Sequence, residues 1–468
     1  MIIEQIYTGC LAQGAYYIES NGEVAIIDPL REVQPYIDKA NAVGGKIKYI
    51  FETHFHADFV SGHVTLSEKT GAPIVFGPNA NPSFEAHIAT DGEVFQLGEI
   101  TITCLHTPGH TMESSCYLLK DKNGKDYAIF SGDTLFLGDV GRPDLAQKAA
   151  DMTQDQLAGI LFDSLRNKVM TLADEVIVYP AHGAGSSCGK NLSKETVGSI
   201  GDQKATNYAL RANMTREEFI KEVTDGLLPP PAYFPINVKL NKEGYINVEE
   251  IIQQAKAFDA KTFELVANET DALILDVRNQ DDFEKGHIPK SIFIGIDGQF
   301  APWVGALILD IKQPILLVTP KGKEEEAIKR LARVGYDATL GYLENGFETW
   351  KNAGLEYDTV NSVSASVLQE KMKENVPVFD VRKPGEYAAE HILDVPSTPL
   401  DFLNEHLAEF PKDTDFYLHC AGGYRSMIAA SILKARGYHN VINVLGGFSA
   451  IKNTDIKTTS YVCPSTLK

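Results

Sequence analysis

Thr53-His54-Phe55-His56-Ala57-Asp58-Phe59 comes one residue after the apolar run Ile47 to Phe51 and packs two imidazoles and a carboxylate into five residues. Alternating His, His and Asp at the carboxyl end of a strand would project to one side, where a cation could collect His54, His56 and Asp58. Phe59 is equally informative, because no cation can use it as a ligand. Three later segments have the same character: Thr107-Pro108-Gly109-His110-Thr111, Ser131-Gly132-Asp133-Thr134 and Tyr179-Pro180-Ala181-His182-Gly183. Each follows or closes an apolar strand. A lone His pair is by default structural, whereas four such segments in one region point to a metal site.

Around these segments, short β-rich runs (Val24 to Ile27, Ile100 to Leu105, Ser115 to Leu119, Tyr127 to Phe130, Glu175 to Tyr179) alternate with loops rich in Gly, Pro, His and Asp. The pattern breaks near Leu227, at Pro229-Pro230-Pro231, which reads as a stiff connector beyond a completed domain. An internal repeat follows. Leu275-Asp276-Val277-Arg278 recurs as Phe379-Asp380-Val381-Arg382, and Gly286-His287-Ile288 as Glu390-His391-Ile392, both at an offset of 104 residues. The offset slides to 102 between Gly335-Tyr336 and Gly437-Tyr438, and to 101 between Gly346-Phe347 and Gly447-Phe448. In each copy apolar strands (Ala272 to Leu275, Val376 to Phe379) alternate with helical stretches (Glu324 to Val334, Ser426 to Arg436), which predicts a mostly parallel sheet covered by helices. The expected fold class is multidomain α/β, with domains at residues 1–245, 260–356 and 364–460.

Composition narrows the function. With 468 residues, 44% of them hydrophobic, the chain can bury several separate cores. Its 43 basic against 63 acidic side chains give a formal charge of −20, and no Lys/Arg cluster stands out; nucleic acid and anionic membranes are therefore not expected partners. Met1 to Ser20 lacks the basic and apolar regions of a signal peptide, no stretch is long enough to span a bilayer, and a cytoplasmic location is expected. Six cysteines without paired spacing predict thiols rather than a disulfide framework.

In the second copy, the strand Phe416 to His419 runs into Cys420-Ala421-Gly422-Gly423-Tyr424-Arg425-Ser426 and then an apolar helical pattern. Strand, glycine-rich loop and helix N-terminus form an anion cradle: backbone N–H groups of Gly422 and Gly423 point inward and Arg425 can close the ring. Such surroundings favour a thiolate, making Cys420 the expected nucleophile. The first copy has Thr319-Pro320-Lys321-Gly322-Lys323-Glu324 at the aligned position, with no thiol and with Glu in place of the arginine. It lacks the expected nucleophile and reads as an inactive spacer.

The four motif segments of the first 210 residues resemble the metallo-β-lactamase superfamily. The superfamily's two-metal hydrolases, glyoxalase II among them, have a His where this chain has Phe59. The remaining set resembles the persulfide dioxygenases, and implies one Fe(II) per chain on His54, His110 and Asp133, with zinc as the alternative. His56, Asp58 and His182 are then orienting groups or a degenerate second metal site. The resemblance also implies substrate contact by Arg142, within Gly141-Arg142-Pro143-Asp144. The loop Gly183-Ala184-Gly185-Ser186-Ser187-Cys188 lacks the Tyr of glutathione-using members, and leaves Cys188 either a sulfur relay or an inert thiol. The Cys420 loop, with Asp380-Val381-Arg382 before it and Gly446-Gly447-Phe448 after it, resembles a rhodanese. The whole chain resembles persulfide dioxygenase–rhodanese fusions: an αββα sandwich, then an inactive and an active rhodanese-like domain. The resemblance implies oxidation of a small-molecule persulfide (of glutathione, coenzyme A or another thiol) by O₂ to sulfite, then thiosulfate formation through Cys420, in a homo-oligomer. A two-metal zinc thioester hydrolase and a sulfur-relay protein with a vestigial metal site are the competing expectations.

Overall fold

The computed structural model describes residues 1–463 except 187, 191 and 228, and only the backbone of residue 149. Ser187, in the loop quoted after His182, thus lies outside the described residues. Two compact units are present: Met1–Val248 with Leu331–Gly335, and Glu249–Arg330 with Tyr336 onward.

Two six-stranded sheets build the first unit. One has the order β1 (Ile2–Thr8), β2 (Gln13–Ser20), β3 (Glu23–Ile27), β4 (Lys46–Phe51), β5 (Ile74–Phe76), β6 (His87–Ile88). The other comprises β7 (Val94–Leu97), β8 (Ile100–His106), β9 (Ser115–Lys120), β10 (Asp126–Gly132), β11 (Ile177–Pro180) and β12 (Gly198–Ser199), also neighbours in chain order. Two-residue periodicity sorts the side chains of β2 and β3. Tyr16, Ile18, Ala25 and Ile27 join Phe51, Tyr117 and Phe130 in one core cluster. Ala15, Tyr17, Val24 and Ile26 join a different cluster with Tyr36 and Ala40 of the helix Gln34–Ala42. Strands buried on both faces are what an αββα sandwich requires.

The expectation that His54, His56 and Asp58 continue a strand is corrected. β4 stops at Phe51, whose ladder partners Ile27 and Val75 lie at or next to the ends of β3 and β5. With no ladder left, the chain turns into a loop. A second correction concerns the prolines: the first unit does not end there, since the helix Phe234–Glu243 after them belongs to it and carries buried Phe234, Asn237 and Asn241.

The second unit holds both repeats. The first has a five-stranded parallel sheet, ordered β13 (Lys256–Phe258), β17 (Thr339–Leu343), β16 (Ile315–Val318), β14 (Leu273–Asp276), β15 (Ile292–Phe293). Its counterpart has four parallel strands, β18 (Asn361–Val363), β21 (Val441–Val444), β20 (Phe416–His419), β19 (Val378–Asp380). Parallel sheets covered by helices are as the sequence predicts. No helix among the described residues is long and apolar enough to cross a membrane.

Candidate metal centre and cysteine pocket

The loop after β4 is held from several sides. Asp28, just past β3, accepts from the Thr53 N–H at 2.8 Å and its hydroxyl at 2.9 Å. Asn241 donates to the carbonyls of His56 and Phe59, 2.8 Å each, and accepts from the Ser61 N–H at 2.8 Å. So anchored, the loop meets the ends of β8, β10 and β11 and delivers two triads. His54, His110 and Asp133 form one, His56, Asp58 and His182 the other, and in each the candidate ligand atoms lie within 4.8 Å of one another. All six side chains are buried.

Asp133 stands between the triads. Its Oδ2 is 3.4 Å from His110 Nε2 and 3.7 Å from His54 Nε2, while Oδ1 is 3.6 Å from His182 Nε2. These separations are too long for good hydrogen bonds and suit groups arranged around a common cation. The far nitrogens are fixed: His110 Nδ1 lies 2.9 Å from the Arg142 carbonyl, His182 Nδ1 3.2 Å from that of Ala12, and His54 Nδ1 3.0 Å from the Thr53 hydroxyl. Such anchoring leaves each Nε2 facing the centre. Both Asp133 oxygens, Asp58 Oδ1 and His182 Nε2 are buried without a hydrogen-bond partner. Stranded buried polar atoms cost roughly 1–3 kcal/mol each, and a cation would satisfy them together. The residues therefore fit a metal.

Electrostatics separates the imidazoles. Burial, followed by the neighbouring His56, His110 and His182, holds His54 well below the usual histidine range. Burial also opposes charge on His182, but the carboxylates of Asp58 and Asp133 outweigh it and raise its pKa well above that range. Phe59 is fully buried, with its ring 4.4 Å from that of His56, so an apolar face occupies the side of the second triad where the two-metal hydrolases carry another His.

Beneath the loop lies a cluster that sequence reasoning missed. His56 Nε2 is 3.1 Å from Asp28 Oδ1 and 3.6 Å from Glu52 Oε2. Burial and the adjacent Asp28 raise the Glu52 pKa well above the carboxylate range, although the Ser61 hydroxyl, donating at 2.5 Å, partly offsets them. Glu52 directly precedes the quoted motif and was the one legible clue; Asn241 gave none.

Arg142 and Cys188 are near the centre but engaged. The Arg142 guanidinium donates twice to Asp144, at 2.7 Å each, and the substrate contact expected of it would have to share that pairing. Cys188 is grouped with Asp133 and His182, and burial, with Asp58 and Asp133 adding to it, pushes its thiol up to about 12.

In the second unit, β20 delivers Cys420, and Gly423, at φ 109°, turns the chain into the helix Tyr424–Ala435. Only a residue without Cβ takes that backbone angle readily. The Gly423 N–H donates to Cys420 Sγ at 3.1 Å. Phe448 N–H, from the later Gly-Gly-Phe turn, holds the Cys420 carbonyl at 2.6 Å. The expected ring closure by Arg425 takes a different form: its guanidinium pairs with both oxygens of Glu386, at 2.5 and 2.8 Å. Cys420, Gly422 and Arg425 line a cavity of about 370 Å³.

A sandwich with a shared-carboxylate pair of His/Asp triads, joined to two parallel-sheet repeats of which one presents a cysteine loop, defines a metal-binding enzyme of the metallo-hydrolase fold with rhodanese-like modules. The metallo-beta-lactamase superfamily model matches residues 8–182, and the rhodanese-like domain model matches 259–353 and 364–454. The solved structure titled metallo-beta-lactamase from Staphylococcus aureus subsp. aureus COL is 31% identical, covering 74% of this chain and 99% of its own, with a TM-score of 0.65. The chain belongs to the metallo-β-lactamase superfamily, and carries two rhodanese-like domains in tandem. The chain is also similar to the mitochondrial persulfide dioxygenase of Homo sapiens, at 27% identity over 47% of this chain and 78% of that protein. A hydroxyacylglutathione hydrolase of Rhizobium johnstonii is 36% identical over 34% of this chain and 57% of that protein.

Proposed function

We propose that the chain oxidises a low-molecular-weight thiol persulfide with O₂ and passes sulfane sulfur through Cys420 to the sulfite formed. The observation that carries this reading is the buried His54, His110, Asp133 triad, with Phe59 set against the neighbouring one. Two imidazoles and one carboxylate on one side of a site suit non-haem Fe(II), which when bound would supply the oxygen chemistry. The net reaction is R–S–SH + O₂ + H₂O giving R–SH + H₂SO₃. Within it, the Arg142 carbonyl and the Thr53 hydroxyl orient His110 and His54. Arg142 would meet the carrier by sharing its guanidinium with Asp144.

At the second site the Cys420 thiolate attacks the outer sulfur of R–S–SH, R–S⁻ leaves, and Cys420–S–SH forms. Sulfite then takes the outer sulfur of the deprotonated persulfide, giving thiosulfate and restoring the thiolate. No net redox change occurs in these two steps. Gly422 and Gly423 supply N–H groups where charge builds on sulfur. The carrier is glutathione, coenzyme A or another small thiol, and Cys188 is a candidate way-station for sulfur beside the metal.

A second reading rests on the other triad. The ligand atoms of His56, Asp58 and His182 also lie within 4.8 Å of one another, which favours a two-metal zinc hydrolase acting on thioesters. One comparison separates the two readings. Iron-loaded protein should take up O₂ with glutathione persulfide or coenzyme A persulfide and not with the reduced thiols. Thioester hydrolysis with two equivalents of zinc and no O₂ uptake would overturn the oxygenase reading. Asp133→Ala should lose metal and at least about a hundredfold of O₂ uptake while sulfur transfer at Cys420 persists.

A further inference from the structure

The first rhodanese-like copy has no thiol, yet it reaches the pocket of the second. Gln299 and Trp303, from the start of the helix Phe300–Leu307 in the first copy, line the cavity around Cys420 together with Lys383 and Glu386. The seam between the copies is fixed. Tyr424, four residues after the nucleophile, donates through its hydroxyl to the Gly295 carbonyl at 2.8 Å, and the Phe293 N–H donates to the Ser431 hydroxyl at 3.0 Å. The ring of Tyr424 lies so close to Gly298 that a Cβ there would sit 2.3 Å from it. Phe293 meets the same ring edge-on at 5.8 Å. Trp303 and Gln299 are therefore carried at a set position relative to Cys420.

Volume and charge say what this wall can take. A cavity of about 370 Å³ is far more than a transferred sulfur atom fills, and lies in the range of small-molecule pockets. Arg425, the cation beside the sulfur, is already paired in bidentate fashion with Glu386, so the pocket is not set up mainly for a small inorganic dianion. An indole and a primary amide in the lining complement planar, amide-bearing organic groups.

Resting on the sulfur-transfer reading of Cys420, we infer that the thiol-less copy is the carrier-recognition wall of the active one: Trp303 and Gln299 bind the organic part of an amide-containing persulfide while its outer sulfur meets Cys420. Both glutathione and the pantetheine arm of coenzyme A have that chemistry. The degenerate copy is then half of a binding site.

The test follows persulfidation of Cys420 by mass spectrometry in the full chain, with glutathione persulfide, coenzyme A persulfide and thiosulfate as donors. In Gln299→Ala and Trp303→Ala, the ratio of kcat/KM for an organic persulfide to that for thiosulfate should fall about tenfold, through KM, and Trp303→Phe should recover most of it. The organic donor with the larger fall identifies the carrier. Because Trp303 is buried and its loss could disturb folding, exposed Gln299 provides the second variant. An unchanged ratio in both variants overturns the inference, as does an equal loss with all donors. Failure of the unmutated protein to label with any donor would instead overturn the reading of Cys420 itself.

Discussion

The two rhodanese-like copies share a scaffold and differ in the loop that matters. In the first, the Arg278 guanidinium binds Asp276 through Nη2 at 2.6 Å and the Gly286 carbonyl at 2.7 Å, with Phe347 4.4 Å away. In the second, Arg382 binds Asp380 at 2.6 Å and the Glu390 carbonyl at 2.8 Å, with Phe448 at 3.9 Å. Even the ring pairs correspond: His287 stacks on Phe283 at 4.0 Å and His391 on Tyr387 at 3.8 Å. The Asp-Val-Arg motif is thus a structural latch that ties the sheet to the following turn. On the proposed reading the chemistry resides in the six residues from Cys420 to Arg425, which the first copy replaces without losing the latch.

The comparison breaks most sharply at the nucleophile. Cys420→Ser should reduce sulfur transfer by at least about a thousandfold, with sulfite accumulating in place of thiosulfate. Thr319→Cys should not restore transfer in that background, because the first copy lacks the Gly-Gly turn and the arginine. Persulfide detected on the introduced thiol together with thiosulfate production would show that the scaffold alone suffices.

The latch predicts an equal effect in both copies. Asp276→Ala and Asp380→Ala each leave a buried guanidinium without its carboxylate and should cost about 3–5 kcal/mol, measured by denaturant unfolding of the full chain. Only Asp380→Ala should also lower sulfur transfer. A loss confined to one copy would mean that the two latches are not equivalent.

The smallest effect concerns Glu386, whose partner Arg425 is replaced by Glu324 in the first copy. Partial burial raises the Glu386 pKa, but the hydrogen bonds and charge of Arg425 outweigh it and the net shift is downward. A depressed carboxylate stabilises the fold above its unfolded pKa, and that contribution is lost as pH falls through the folded value. Glu386→Gln should abolish this acid-side dependence. By releasing Arg425 it should also improve use of thiosulfate severalfold, read as kcat/KM against pH.

Local patterns made the repeat, the latch residues, the cysteine loop and the His/Asp segments legible in the sequence. Each is a short motif beside an apolar strand. What was hidden depends on pairs far apart in the chain. Asp28 gripping Thr53, Glu386 holding Arg425, and Trp303 lining the Cys420 cavity have no periodicity that a single sequence displays. The loop character of His54 to Asp58 was hidden for another reason: alternation predicts a strand only where neighbouring strands remain to pair with, and here they end.

Asn241 gives the metal loop a timetable. Its amide grips the backbone at His56, 185 residues earlier in the chain, so the loop cannot acquire its final restraint until that much more polypeptide exists. At roughly 5–20 residues per second of synthesis, the delay is on the order of ten seconds or more. For that interval the nascent ligands are present without their clamp, and a chain cut short at the prolines would remain permanently in that state.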